Sequence, residues 1–261
     1  MAQYDKVVLM PHPLADALEQ AFQEVRDRDM TLGERLKVIA DLVRERGPGF
    51  ADAVDEFVGR LQAAQAGESA PQVGDPMPLF TMPDQNGKLV SLADLLKNGP
   101  VVVAAHRGHW CPYCRLNMVG LAEIEEAAKP AQIVAMSSEL QHYTQKLSKE
   151  AGGSFPFLTD VGAGYALSLN LAIWVDEEMS RMIESAGWDA PLYQGGTGWI
   201  LPIPAVFVIR QDGTIAARHV DPDYRRRMEL DDLLSGVKLA LGEAGSPVGR
   251  TQQVEKRARF A

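Results

Sequence analysis

The chain has 261 residues, a net charge of −9, 46% hydrophobic and 23% charged side chains. That balance belongs to a soluble globular protein, and its acidity argues against nucleic acid as a general partner. No run approaches the roughly eighteen apolar residues of a membrane span; residues 1–14 lack the apolar core and cleavage site of a secretory signal; the two cysteines fit a reducing cytoplasm.

Residues 12–65 read as three helices. Leu14, Leu18, Phe22 and Val25 form one apolar stripe, Leu36, Ile39, Ala40 and Val43 a second, and Phe50, Val54, Phe57, Val58 and Leu61 a third. Thr31 followed by Glu34 predicts a capping box, and Gly47-Pro48-Gly49 a break between helices. His12, between two prolines, reads as a surface residue. This segment, residues 1–70, is expected to pack on the main domain or to mediate self-association, a homodimer being the assembly left open.

Residues 66–75 have the composition of a linker, and the period then changes. Strands at 79–81 and 88–90 flank an Asn86-Gly87 turn, and Ser91 starts a short helix. Strands at 100–105, 132–136 and 155–158 alternate with helices starting near 112, 142 and 163, which predicts a parallel-rich α/β core over residues 71–243. A helix follows at 176–186, then a glycine-rich loop at 193–198 without the Lys-Ser or Lys-Thr of a phosphate loop. Strands at 204–210 and 214–220 meet at Asp212-Gly213, a helix closes the domain at 230–241, and residues 244–261 read as a polar tail.

The chemistry concentrates in His106-Arg107-Gly108-His109-Trp110-Cys111-Pro112-Tyr113-Cys114, where a strand turns into a helix. With Cys111 at the N-cap and Pro112 at the first helical position, a Cys111 thiolate would face free N–H groups and the positive end of the helix dipole. Such cysteines are acidified, so Cys111 is expected to be the more acidic, more exposed and attacking thiol, with Cys114 resolving. Two other readings stand beside this one: a pair of inert buried thiols, and a zinc site from His106, His109, Cys111 and Cys114, which four ligands within nine residues disfavour.

The order of elements resembles the thioredoxin fold, a central mixed sheet flanked by helices, here with an N-terminal helical extension. More narrowly, VGDPMPLFTMPDQNGKLVSLADLL, RGHWCPYC, LPIPAVFVIRQDGTI and HVDPDYRRR resemble the peroxiredoxin-like branch of the alkyl hydroperoxide reductase and thiol-specific antioxidant family. The resemblance implies a thiol oxidoreductase without metal or organic cofactor. Its substrate would be a hydroperoxide, or a disulfide in the alternative thioredoxin-like or glutaredoxin-like reading, and its reductant thioredoxin-like or glutathione-type. Where peroxiredoxins carry a threonine or serine, a proline and an activating arginine, this chain has Gly108, Ala104 and Pro204. Pro204 instead matches the cis-proline of thioredoxins, which predicts a cis Ile203–Pro204 bond. Arg107 is either a replacement for the missing arginine or a solvated loop residue, and His109 either tunes the thiolate or faces water. Trp110 is expected to cover the sulfurs, and the DPDYRRR run to cap a helix on the surface.

Overall fold

The computed structural model describes residues 13–243; His12 and the tail from residue 244 lie outside the described residues. Three helices come first, α1 (Pro13–Val25), α2 (Leu32–Arg46) and α3 (Pro48–Ala63). The capping box is present: the Glu34 N–H donates to Thr31 Oγ1 at 3.2 Å, and the Thr31 N–H to the Glu34 carboxylate at 2.8 Å. Pro48 occupies the first position of α3, where its missing N–H leaves nothing unpaired.

A small antiparallel ribbon, β1 (Thr81–Pro83) and β2 (Leu89–Ser91), leads through α4 (Leu92–Leu95) into β3 (Val101–Ala105). Then follow α5 (Pro112–Glu123), β4 (Gln132–Ser137), α6 (Gln141–Ala151), β5 (Phe157–Thr159) and α7 (Gly164–Ser168). An excursion comprises β6 (Ala172–Trp174), α8 (Glu177–Ser185), α9 (Ala190–Gln194) and β7 (Ile200–Pro202), before β8 (Ala205–Ile209), β9 (Ile215–Val220) and α10 (Leu230–Ala240). The main sheet has the order β5-β4-β3-β8-β9, parallel across the first three strands and antiparallel across the last three. This is the mixed sheet of the thioredoxin fold.

Strand alternation sorts the core into two layers. Val101, Val103 and Ala105 face one side with Phe207 and Ile209; Val102 and Ala104 face the other with Ile133, Val206 and Val208, against α5, α6 and α10. The outer face of α5 is covered by the three N-terminal helices: Leu116 and Val119 share a cluster with Leu18, Phe22, Leu32, Leu36 and Ile39. A helix covered on both sides must be apolar nearly all round, and α5 is, from Pro112 to Leu121 with Arg115 and the buried Asn117 as the exceptions. The extension therefore packs on the helix that carries the cysteines.

Two sequence expectations change. Residues 66–75 are pinned rather than free: Arg218 Nη1 donates to the carbonyls of Ala70 and Pro71, each at 2.8 Å, and the Gly74 N–H to Ile215 O. Of the glycine-rich stretch at 193–198, Tyr193 and Gln194 end α9, which Gly195 caps at φ 68°, and the loop then leads into β7, which pairs with β6 as a second ribbon. At three residues, Ile200–Pro202, β7 is too short to read as a strand from its pattern.

Candidate active site

Strand β3 continues one bond beyond its end, His106 N–H to Met136 O at 2.9 Å, and the loop of residues 107–110 then leads into α5. Cys111 is the N-cap of α5, in extended conformation, with Pro112 first in the helix as predicted. Its sulfur takes no capping hydrogen bond. Both cysteines are free thiols and both are buried, Cys111 at 2% and Cys114 at 0% exposure.

The hydrogen bonds converge on the second sulfur. Cys114 Sγ accepts the Arg107 N–H at 3.4 Å and Arg227 Nη2 at 3.5 Å. Burial works against an anion at either sulfur. At Cys114 it is overcome by the Cys111 thiol donating to it, by the Arg227 charge and by the Arg107 N–H and charge, which bring it down to about 6. At Cys111, burial and the adjacent Cys114 anion push the thiol well above its usual value. The donors thus favour the opposite polarity to the one expected: the Arg107 N–H and the charged Arg227 both face Cys114, and no capping bond reaches Cys111.

Access belongs to the other sulfur. A cavity with about 30 Å³ open to the centre of a water molecule lies against Cys111 and not Cys114. Arg107, Trp110, Tyr113 and Tyr224 line it, together with Trp188 and side chains of the three N-terminal helices. Trp110 leans on Trp188 with ring centres 6.0 Å apart, and its indole N–H is buried without a partner. Arg107 is 4% exposed, so it is no solvated loop residue; its guanidinium lies 3.9 Å over the Tyr224 ring with Nε and Nη2 unpartnered. Such buried, unused donors are costly to retain.

Sequence reasoning missed two residues. Arg227 follows β9 in the DPDYRRR run, where three consecutive arginines show no period that would single one out. Its Nη1 donates to the carbonyls of Tyr224 and Arg226, which aims Nη2 at Cys114. Arg225 does stay at the periphery, paired with Asp223 and Asp55. The second is Glu139, fully buried after β4, which accepts the His109 N–H at 2.8 Å and meets His109 Nδ1 at 2.6 Å. His109 also stacks on Tyr143, with ring centres 4.5 Å apart, so it is committed to this cluster rather than to the sulfurs or to water.

Glu139 also accounts for Gly108. At φ 143° a Cβ on residue 108 would fall well inside contact distance of the Glu139 carboxyl, leaving no room for a threonine. Pro204 is buried directly before β8, and since Ala205 pairs with Ala105, the register carried one step further sets it beside His106. The Ile203–Pro204 bond is trans, the ordinary preference of an X–Pro bond. The zinc reading fails on geometry: among the described residues no three His, Cys, Asp or Glu side chains converge, His109 being held by Glu139.

His106 is fully buried with both ring nitrogens unpartnered, and burial lowers its pKa to about 3, helped by the charge of Arg227. It is neutral in the folded protein and free to protonate when unfolded, so stability present above pH ~6.5 is lost as pH falls from there towards 3. Between pH 7 and pH 5 this should remove about 2 kcal/mol. Denaturant titrations at the two pH values should show that loss in the wild type and a much smaller one in His106→Leu; equal losses would contradict it.

The family model described as Redoxin matches residues 72–234, more than half of the chain. The chain belongs to the Redoxin family. Its match runs from the pinned segment before β1 to the middle of α10 and so includes the cysteine loop, Glu139, Pro204 and Arg227. Among solved structures it is similar to peroxidoxin BcpB from Mycobacterium tuberculosis, at 19% identity and TM-score 0.50, over 64% of this chain and 97% of that one. It is also similar to a cysteine-to-serine mutant of the peroxiredoxin 6 of Arenicola marina, at 18% identity and TM-score 0.50, over 64% of this chain and 72% of the other. These likenesses show a shared fold. No curated protein matches the chain. As a redoxin this protein is a thiol oxidoreductase, and the extension that covers α5 lies before the residues matched to the family. Among the described residues, no helix is long and apolar enough to cross a membrane.

Proposed function

We propose that this redoxin is a thiol peroxidase that reduces hydroperoxides with Cys111 as the attacking sulfur and Cys114 as its base and resolving partner. The observation that carries this reading is the division of labour between the sulfurs. Cys111 faces a narrow cavity lined by Arg107 and Trp110, whose buried donors are unused, while Cys114 faces two N–H donors suited to an anion. A cavity this small favours a hydroperoxide over a disulfide, whose second sulfur and substituent need an open approach.

The steps follow from that placement. The Cys111 thiol passes its proton to the Cys114 thiolate as its sulfur attacks the terminal peroxide oxygen. The O–O bond breaks, Cys111 becomes a sulfenic acid, and the departing alkoxide or hydroxide takes the proton from Cys114. Charge developing on that oxygen is met by the Arg107 guanidinium and the Trp110 N–H. Restored as thiolate, Cys114 attacks the sulfenic sulfur, forming a disulfide and releasing hydroxide, which is protonated to water. An external dithiol then returns the two electrons by exchange through a mixed disulfide.

Arg227 should set the pH at which this chemistry turns on. Removing its charge in Arg227→Met raises the Cys114 pKa from about 6, so the oxidation rate at pH 7 should fall roughly tenfold and the pH–rate curve should move to higher pH. Arg227→Lys should recover part of the shift. A rate lowered equally at all pH values would mean that Arg227 only supports the loop.

A further inference from the structure

The cavity at Cys111 is walled on one side by a single residue from each N-terminal helix: Leu18 of α1, Val43 of α2 and Phe50 of α3. Ile183 of α8 and Trp188 face them from the excursion between β6 and β7. None of these five side chains carries chemistry, yet together they determine what can stand beside the sulfur. We propose that the N-terminal helices act as a size filter that admits hydrogen peroxide to Cys111 and excludes bulky organic hydroperoxides. This rests on the peroxidase reading above and names the substrate class for it.

The volume supports the assignment. About 30 Å³ of space for water centres holds one or two waters, which matches the two oxygens of hydrogen peroxide. An alkyl or aryl substituent would have to displace packed side chains.

The wall is also fixed in place. Glu19, next to Leu18, pairs with Arg115 of α5 at 2.5 Å; Arg35 of α2 pairs with Glu123 at 2.6 Å; Asp55 of α3 pairs with Arg225 at 2.6 Å. Behind the wall, Phe22, Leu32 and Ile39 are buried against Leu116 and Val119. Each of the three helices is thus tied to the part of the domain that holds the cysteines or the arginine run. A filter built this way acts by volume rather than by charge, because the residues that contribute it are apolar.

The test compares oxidation rates of the reduced full-length protein by hydrogen peroxide, tert-butyl hydroperoxide and cumene hydroperoxide under one set of conditions. The rates should fall with substituent size, by about tenfold or more at each end of the series, as expected when a packed wall must be forced apart. In Phe50→Ala, and separately in Leu18→Ala as a milder opening, the ratio of the cumene hydroperoxide rate to the hydrogen peroxide rate should rise about tenfold. Equal rates for all three oxidants in the wild type, or an unchanged ratio in both folded variants, would overturn the filter. Alkylation of Cys111 by iodoacetamide and by N-phenylmaleimide separates this failure from that of the peroxidase reading. A wild-type preference for the small reagent that both variants lose supports the filter even if peroxide proves a poor substrate, and no size dependence overturns it.

Discussion

Serine in place of Cys114 should slow the oxidation of Cys111 by hydrogen peroxide about 10²–10³-fold at pH 7, the scale on which a positioned base contributes. Two functions are lost at once. The serine hydroxyl cannot hold an anion near neutrality, so the proton of the buried Cys111 thiol has nowhere to go. Nor can it attack the sulfenic sulfur, so the product should persist as a sulfenic acid instead of closing to a disulfide. The pH dependence distinguishes this from mere misplacement. In the wild type the rate should rise through pH ~6, as Cys114 ionises, and then level off. In the variant it should keep climbing into the alkaline range, because burial alone keeps the Cys111 thiol high. A variant that retains a plateau above pH ~6 would assign the acidic group to Cys111.

Threonine in place of Gly108 should be the most damaging single change to the fold around the site. It installs the residue type that typical peroxiredoxins carry here, and it should fail. The new Cβ would clash with the Glu139 carboxyl, and a β-branched residue would be forced to a φ of 143°. Overpacking and backbone strain each cost about 1–3 kcal/mol, so a loss of about 2–4 kcal/mol and a fall of several degrees in Tm is expected. If the clash is the cause, Gly108→Thr and Glu139→Ala should be strongly non-additive, the double variant recovering part of the single loss. A Gly108→Thr protein as stable as the wild type would show that Glu139 does not hold the loop.

Much of this fold is legible in the chain. The strand-turn-helix around Cys111, the capping box at Thr31 and the hairpin at Asp212-Gly213 each announce themselves locally, through apolar period, cap chemistry and turn chemistry. The nearly all-round apolar character of α5 fits its burial on both faces, although nothing in the pattern says that the N-terminal helices supply the second cover.

The site is less legible, because its decisive contacts are long-range. Arg227 lies 113 residues from Cys114 and Glu139 lies 30 from His109, and neither carries a local signature. The strand-to-helix turn predicts the position of Cys111 as the N-cap correctly and gives no sign of the donors that gather on Cys114. A helix terminus is visible in the sequence, whereas the two donors on Cys114 are brought together only by the tertiary structure. Arg107 hangs between solvent and sulfur in the sequence for the same reason; burial under Tyr224 resolves it.

Reaction of Cys111 with peroxide through a neighbouring thiolate is the central claim, and a stopped-flow measurement tests it most directly. Reduced full-length protein is mixed with one equivalent of hydrogen peroxide at pH 7, the intrinsic tryptophan fluorescence, to which Trp110 and Trp188 beside the site contribute, is followed, and the product is weighed by mass spectrometry. The predicted result is oxidation at least about 10²-fold faster than that of a free cysteine thiol, the scale of one well-placed donor, with a mass lower by two hydrogens. A rate no greater than that of free cysteine, or a wild-type product that accumulates oxygen without closing a disulfide, would contradict it.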